Sequence, residues 1–353
     1  MKVTLLLLTS WLLCQALPLD LAASFLQTTD SDDVFPWGDI TPQQNPMNRD
    51  TDDLPEDADD KGDEAIDGDT DWLLVSAFDV NTMGSGQVWA VPRAQSRRDD
   101  AFVLIGGLQT PTGICFDKNH DFLYVCDSAQ RRVYQFEIDR DGKHQFILAN
   151  DQVATVYEGL APVDCSIDAY GNIYIADLRT QTIEFIDYLS LWSGLVGNSV
   201  TLYSGSEQLR AVIGVEVEDS DTLYFANSAD PQDSGVLNSA PAFTLGNNTD
   251  SIATRLRTNL RAQGLGLSQD YVYISGADGS VWAFDYHGDP NLYLKSAGYF
   301  VSPRGICTGD GYVYVADISL GGVYRLEDSN DEDDRVRRVI GLEGAFGLAC
   351  IND

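Results

Sequence analysis

Leu123-Tyr-Val-Cys-Asp127 returns four more times along the chain, as Ile173-Tyr-Ile-Ala-Asp177, Leu223-Tyr-Phe-Ala-Asn227, Val272-Tyr-Ile-Ser-Gly276 and Val313-Tyr-Val-Ala-Asp317. Alternating apolar positions rich in β-branched and aromatic side chains mark each copy as a strand. Before each copy stands a second recurring segment, in which a small or Pro residue and a Gly lead into alternating apolar residues. These are Pro111-Thr-Gly113-Ile-Cys-Phe, Pro162-Val-Asp164-Cys-Ser-Ile, Val212-Ile-Gly214-Val-Glu-Val, Ala262-Gln-Gly264-Leu-Gly-Leu and Pro303-Arg-Gly305-Ile-Cys-Thr, with a sixth copy at Ala345-Phe-Gly347-Leu-Ala-Cys. The anchors at 113, 164, 214, 264, 305 and 347 are separated by 51, 50, 50, 41 and 42 residues. That spacing fits a four-stranded propeller blade of about 40–45 residues plus loops. Turn chemistry sits where hairpins need it, in Asp168-Ala-Tyr-Gly-Asn172 and Gly309-Asp-Gly311. Third strands follow at Arg132-Val-Tyr-Gln-Phe, Ile183-Glu-Phe-Ile, Val281-Trp-Ala-Phe and Val323-Tyr-Arg-Leu, and a shorter fourth at Thr201-Leu-Tyr.

The two ends explain each other. The sixth anchor strand runs into the C-terminus with no partner strands after it. The missing partners stand at the start of the repeat region, at Trp72-Leu-Leu-Val-Ser-Ala-Phe78, Gln87-Val-Trp-Ala-Val91 and Phe102-Val-Leu-Ile105. The sequence therefore predicts an all-β fold, a six-bladed β-propeller over 72–353, closed by the C-terminal strand joining the N-terminal blade. Closure leaves only short, protected sheet edges.

The run Gly113-Ile-Cys-Phe-Asp-Lys-Asn-His-Asp-Phe-Leu-Tyr-Val-Cys-Asp-Ser-Ala-Gln-Arg-Arg-Val133 resembles an NHL repeat. The same repeat grammar is similar to that of SMP-30/gluconolactonase-like and strictosidine-synthase-like propellers. These relatives include binding scaffolds and enzymes, so the fold leaves function open. The SMP-30-like resemblance implies a divalent cation in the central channel, held by Asp, Asn and Glu side chains, several just before the anchor glycine. The matching residues here are Thr112, Val163, Ile213, Gln263, Arg304 and Phe346. None is a carboxylate, whereas a hard cation needs converging oxygen ligands. Asp164 stands in one anchor position, as a single carboxylate displaced by one residue. The resemblance also extends to zinc-dependent NHL-type enzymes. However, His120, His144 and His287 fall in turns of different blades, and zinc needs convergent ligands. Cys126 has no His near it in sequence, and no G-x-S-x-G elbow is present.

Composition narrows the partners. The 353 residues carry 22 Lys+Arg against 55 Asp+Glu, a formal charge of -33. Such a polyanion repels nucleic acid and anionic lipid and favours cations or basic proteins. Residues 1–16 read as a signal peptide: Lys2, the apolar run Val3–Leu13, then Cys14-Gln15-Ala16 at a cleavage point. The apolar run has about half the length that a membrane span of about 20 residues needs. The expectation is a secreted, monomeric protein with no transmembrane span. Residues 17–71 form an acidic leader. Its part from Asp30 to Asp71 holds 16 acidic and two basic residues with four prolines, a composition that favours disorder. It reads as a solvating linker, a calcium sponge, a pro-segment or a tether. A calcium loop over Asp63–Asp71 is excluded because Leu74 occupies the twelfth position, where Glu is required.

Several residues remain as site candidates. Asp127, Asp177, Asn227 and Asp317 end equivalent strands and should ring the channel mouth with Arg304. They either bind a cation or polar ligand there, or bond to backbone N–H groups of the adjoining turns. No cofactor is implied apart from a divalent cation such as calcium. Cys115 and Cys307 lie two residues after their anchors, Cys165 and Cys350 one and three after theirs. Odd and even offsets face opposite sides of a sheet, which predicts inter-blade disulfides Cys115–Cys165 and Cys307–Cys350, with Cys126 left over. Asn247-Asn248-Thr249 is a glycosylation sequon, inside Ser228–Asp250, which reads as the longest inter-strand region. Trp192 and the run Tyr188-Leu-Ser-Leu-Trp-Ser-Gly-Leu195 form a second apolar excursion, in blade three, which reads as a short helix covering an edge or as a docking patch, with a core position expected. The functional expectation is a non-enzymatic exported propeller that binds a protein or glycan through its loop face. The alternative is a divergent SMP-30-like metal-dependent hydrolase or lactonase with a rearranged channel site.

Overall fold

A computed structural model describes residues 72–351 apart from 80–81, 83, 94–99, 141–145, 194–197, 206–208, 219–220, 229–234, 243–246, 249–253, 259–260, 286–291, 297–298 and 328–335. The signal and leader segments, His144, His287 and Thr249 of the sequon lie outside the described residues.

Six sheets are arranged as six blades. Their innermost strands are Ala345–Ile351, Pro111–Asp117, Pro162–Ile167, Val212–Glu218, Ala262–Leu267 and Pro303–Gly309, for blades one to six. Each pairs antiparallel with a second strand: Trp72–Ala77, Phe122–Asp127, Ile173–Asp177, Thr222–Asn227, Tyr271–Gly276 and Tyr312–Asp317. Blade one joins both ends of the chain, as the sequence predicts. Trp72 pairs with Ile351, Leu73 with Cys350 and Leu74 with Ala349. Arg93 fastens this joint from outside, donating to the Ile351 carbonyl at 3.1 Å and pairing with Asp310 of blade six at 3.0 Å.

The core is divided among the seams between blades. Among the described residues the buried apolar side chains fall into six clusters, one per seam, including blade six against blade one. The repeated tyrosine of the second strand supplies much of this packing. Tyr124, Tyr174, Tyr224, Tyr273 and Tyr314 are all buried. At the axis the inner strands approach too closely for side chains at the anchors. A Cβ on Gly264 would overlap the Arg304 carbonyl, and one on Gly347 the Thr112 carbonyl. Glycine is thus a steric requirement at 264 and 347, while the anchor of blade three admits Asp164.

Blade four differs from the sequence reading. The region Ser228–Asp250 contains a third strand, Val236–Pro241, which pairs with Thr222–Asn227 and with an outer strand, Thr254–Thr258. Val236, Leu237, Asn238 and Ala240 are all buried, so this strand shows no alternation from which to recognise it. Asn247–Asn248 runs parallel to the outer strand of blade three, beside Tyr203 and Ser204.

Candidate functional site

At the channel mouth the structure places Asp127, Asp177, Asn227 and Asp317 at equivalent corners, all buried. Their acceptor atoms are committed to the backbone. Asp127 accepts from the N–H groups of Gln109 (2.7 Å), Thr110 (3.0 Å) and Gln130 (3.1 Å). Asp177 accepts from Leu160 (2.8 Å), Ala161, Arg179 and Thr180 (each 3.1 Å), and from the Tyr157 hydroxyl at 3.2 Å. Asp317 accepts from Val301 (2.8 Å), Ser302 (3.0 Å), Ser319 and Leu320 (both 2.9 Å). The Asn227 carbonyl oxygen accepts from Val236 at 2.6 Å. In blades two, three and six the carboxylate thereby ties the turn entering the inner strand to the turn leaving the second strand. Of the two roles the sequence leaves open, this geometry matches backbone bonding.

Of the six residues before the anchors, three form a contact chain. The Arg304 guanidinium donates to the Gln263 carbonyl oxygen and lies over the Phe346 ring at 5.4 Å. Burial draws the guanidinium down to about 10, with the Asp317 charge opposing, so it stays cationic at neutral pH. Thr112 is fully buried and donates to the Cys126 carbonyl at 3.2 Å.

A second carboxyl stands near Asp164, unnoticed in the sequence. Glu216 of blade four accepts from Ser166 Oγ of blade three at 2.8 Å, and Ser166 Oγ accepts from Val217 N–H at 3.2 Å. Asp164 accepts from Val215 N–H at 3.1 Å. Burial pushes Glu216 up to about 8, with the Ser166 bond opposing. Asp164 lies well above the usual carboxylate range, first through burial and then through the Glu216 charge. The signal was present: Ser166 and Glu216 each stand two residues after their anchors in adjacent blades. Among the described residues no three His, Cys, Asp or Glu side chains converge as metal ligands.

Offset parity brings both cysteine pairs together, but one of them is bonded and the expected Cys115–Cys165 disulfide is not formed. Cys307 and Cys350 form a disulfide between blades six and one. The Cys115 and Cys165 sulfurs lie 2.7 Å apart as free thiols, and Cys126 is buried in the same seam. Burial raises the Cys115 and Cys126 thiols well above the ordinary range.

The opposite end of the seam between blades two and three carries an aromatic surface. His120, in the turn after the inner strand of blade two, bonds Asp117 at 2.6 Å and stacks on Tyr188 at 4.2 Å between ring centres. Tyr188 opens the helical turn Tyr188–Trp192, which Asp187 caps by accepting from Ser190 N–H and Oγ. Tyr188 N–H is fixed by Asn172 at 3.0 Å. In this short helix Leu191 is the buried residue, while Leu189 and Trp192 are 75% and 69% exposed. The core position expected for this run therefore holds for Leu191 and not for Trp192. Phe122, Tyr124, Gln135, Tyr188, Leu191 and Trp192 line a groove of about 200 Å³.

Comparison with known proteins agrees with this architecture. A family model described as SMP-30/Gluconolactonase/LRE-like region matches residues 63–188. No curated protein matches the chain by sequence. A chain of the nidogen/laminin complex superposes with a TM-score of 0.62 at 12% identity, over 79% of this chain and 98% of that one. A putative 6-phosphogluconolactonase from Bacteroides fragilis gives 0.53 at 11%, over 82% and 100%. A gluconolactonase from Xanthomonas campestris gives 0.50 at 15%, over 79% and 87%. At such identities the likeness shows the fold, a β-propeller, and leaves its use open.

Proposed function

We propose that this chain is an exported, non-enzymatic propeller that binds a protein or glycan partner through its loop surface. The observation that carries the reading is the exposed aromatic groove between blades two and three. Trp192 and Leu189 stand out from a helical turn whose start is fixed by Asp187 and Asn172. Large exposed apolar side chains on a rigid platform are typical of contact surfaces. Two further points support it. The polar corners of the channel mouth are spent on closing the ring, and a chain of similar fold takes part in a nidogen/laminin complex. Export rests on the N-terminal signal alone. The test is surface plasmon resonance of the purified full chain against extracellular matrix proteins and a glycan panel. The expected result is a partner whose affinity falls at least tenfold in Trp192→Ala. A partner unaffected by Trp192→Ala would move the site elsewhere.

A second reading has one observation in its favour. Asp164 and Glu216 form a carboxyl pair beside the axis, in a chain whose residues 63–188 match the SMP-30/gluconolactonase-like model. Glu216, protonated at neutral pH, would be the general acid of a rearranged hydrolase or lactonase site. Stoichiometric divalent cation in the purified protein, together with lactone hydrolysis lost in Glu216→Gln, would establish this reading and overturn the first.

A further inference from the structure

We propose that the aromatic groove between blades two and three binds a basic side chain, arginine or lysine, presented by a protein partner. This rests on the partner-binding reading and names the chemistry of the partner. The groove is lined by four aromatic residues, Phe122 and Tyr124 from the second strand of blade two and Tyr188 and Trp192 from the helical turn of blade three; Tyr124 is buried, Tyr188 is stacked on His120, and Trp192 is the most exposed ring. Ring faces are negative and attract cations, arginine most often. In its floor Gln135 Nε2 is turned onto the Tyr124 hydroxyl, to which it donates at 3.0 Å.

The rim carries the complementary charge. Gln135 pairs with Tyr124 and Glu137 with Phe122 across the two strands. Alternation along the strand therefore puts Gln135, Glu137 and Asp139 on one face, that of the groove. Glu137 and Asp139 are exposed. Asp187 stands at the start of the helical turn, and Ser190 holds its carboxyl below the usual range, so it is anionic at neutral pH. Lys118, exposed in the adjoining turn, is the opposing charge. The chain as a whole, at -33, favours a basic partner over an acidic one.

The test is isothermal titration calorimetry of the full chain at physiological salt with two probes. One is a tetra-arginine peptide, and the other is the same peptide with citrulline, an uncharged isostere, in place of arginine. The arginine peptide should bind at least tenfold more tightly. Trp192→Ala should lower its affinity about tenfold, the scale of one or two ring contacts, and Glu137→Gln about threefold. Trp192 is exposed, so folding of the variant is not at stake. Equal affinity for the two peptides, or arginine binding unchanged in Trp192→Ala, would overturn the assignment, the latter by showing general attraction to a polyanion. A neutral chitotriose that binds in a Trp192-dependent way, with no response to the arginine peptide, would overturn the cationic partner but leave partner binding standing.

Discussion

Replacing Asp177 separates a ring staple from a ligand-binding ring. Five donors converge on its carboxylate: four backbone N–H groups and the Tyr157 hydroxyl. In Asp177→Ala the donors near the surface regain water, whereas Ala161 N–H and the Tyr157 hydroxyl stay buried without their partner. An unsatisfied buried donor costs about 1–3 kcal/mol, and bonds to a charged acceptor lie at the high end. The expected loss is therefore about 4 kcal/mol. For a domain of this size, each kcal/mol moves Tm by about 2–4 °C, which makes the drop roughly 10 °C. Asp177→Asn keeps one acceptor oxygen but aims an amide at donors, and should lose about half as much. Asn227 shows that the corner accepts an amide where one N–H, that of Val236, is to be bonded. Differential scanning calorimetry of Asp127→Ala, Asp177→Ala and Asp317→Ala should rank them by donor number: Asp177 largest, Asp317 next, Asp127 smallest. The reasoning is refuted if Asp177→Ala melts within about 2 °C of the parent. It is refuted more decisively if the variant keeps its Tm and loses a bound divalent cation, because the carboxylate would then serve a ligand.

Other consequences are independent of that staple. Peptide mapping of the non-reduced protein should recover Cys307–Cys350, with Cys126 alkylated as a free thiol; Cys115 and Cys165, 2.7 Å apart as thiols, should link only on oxidation, and free Cys307 and Cys350 thiols would exclude the pairing. Reduction should cost about 4 kcal/mol for the 43-residue loop closed by Cys307–Cys350, in the chain-entropy treatment. Glu216 gives a pH signature with an unusual sign. Its folded pKa of about 8 lies above the unfolded value near 4.5, so between these values the native state holds the extra proton, and its contribution to stability falls as pH rises. Urea unfolding of Glu216→Gln should match the parent near pH 5 and exceed it by up to about 4 kcal/mol at pH 9; parallel profiles would give the folded carboxyl an unshifted pKa.

The blades were legible because a propeller repeats one local pattern and each repeat meets its neighbours in the same way. Tyr124, Tyr174, Tyr224, Tyr273 and Tyr314 occupy one register in five strands, and that register is the centre of each seam. Ring closure was legible because half a blade at one end matched half at the other. The third strand of blade four was not, since Val236–Pro241 is buried on both sides and loses the period-two signature. Glu216 escaped for a different reason. Reading along one strand shows its place in the repeat, but not that Ser166 of the next blade faces it across a seam. The sequence left Trp192 between core and docking patch because five residues make barely more than one helical turn. One side chain of that turn, Leu191, suffices to anchor it, which leaves the rest of an apolar run outside.

The division between the two ends of the ring follows from its symmetry. Each blade must pin two turns at the channel mouth, and a buried carboxylate is the group that can hold several N–H donors at once. Asp127, Asp177 and Asp317 do so, whereas the Asn227 side-chain oxygen accepts from Val236 at the start of the third strand. A ligand site built from those same groups would have to release backbone donors in several blades, at a cost of several kcal/mol in each. Turns at the opposite end are pinned one at a time, as where Asp168 accepts from the Tyr170 and Asn172 N–H groups of its own turn. There blade three carries a helical turn between its third and fourth strands, and the turn of blade two leans on it through the His120–Tyr188 stack. The asymmetric feature of a nearly symmetric ring is therefore the one free to acquire a partner. Around Trp192, aromatic faces and acidic rim meet at that feature, and not at the channel that the repeat pattern first brings to notice.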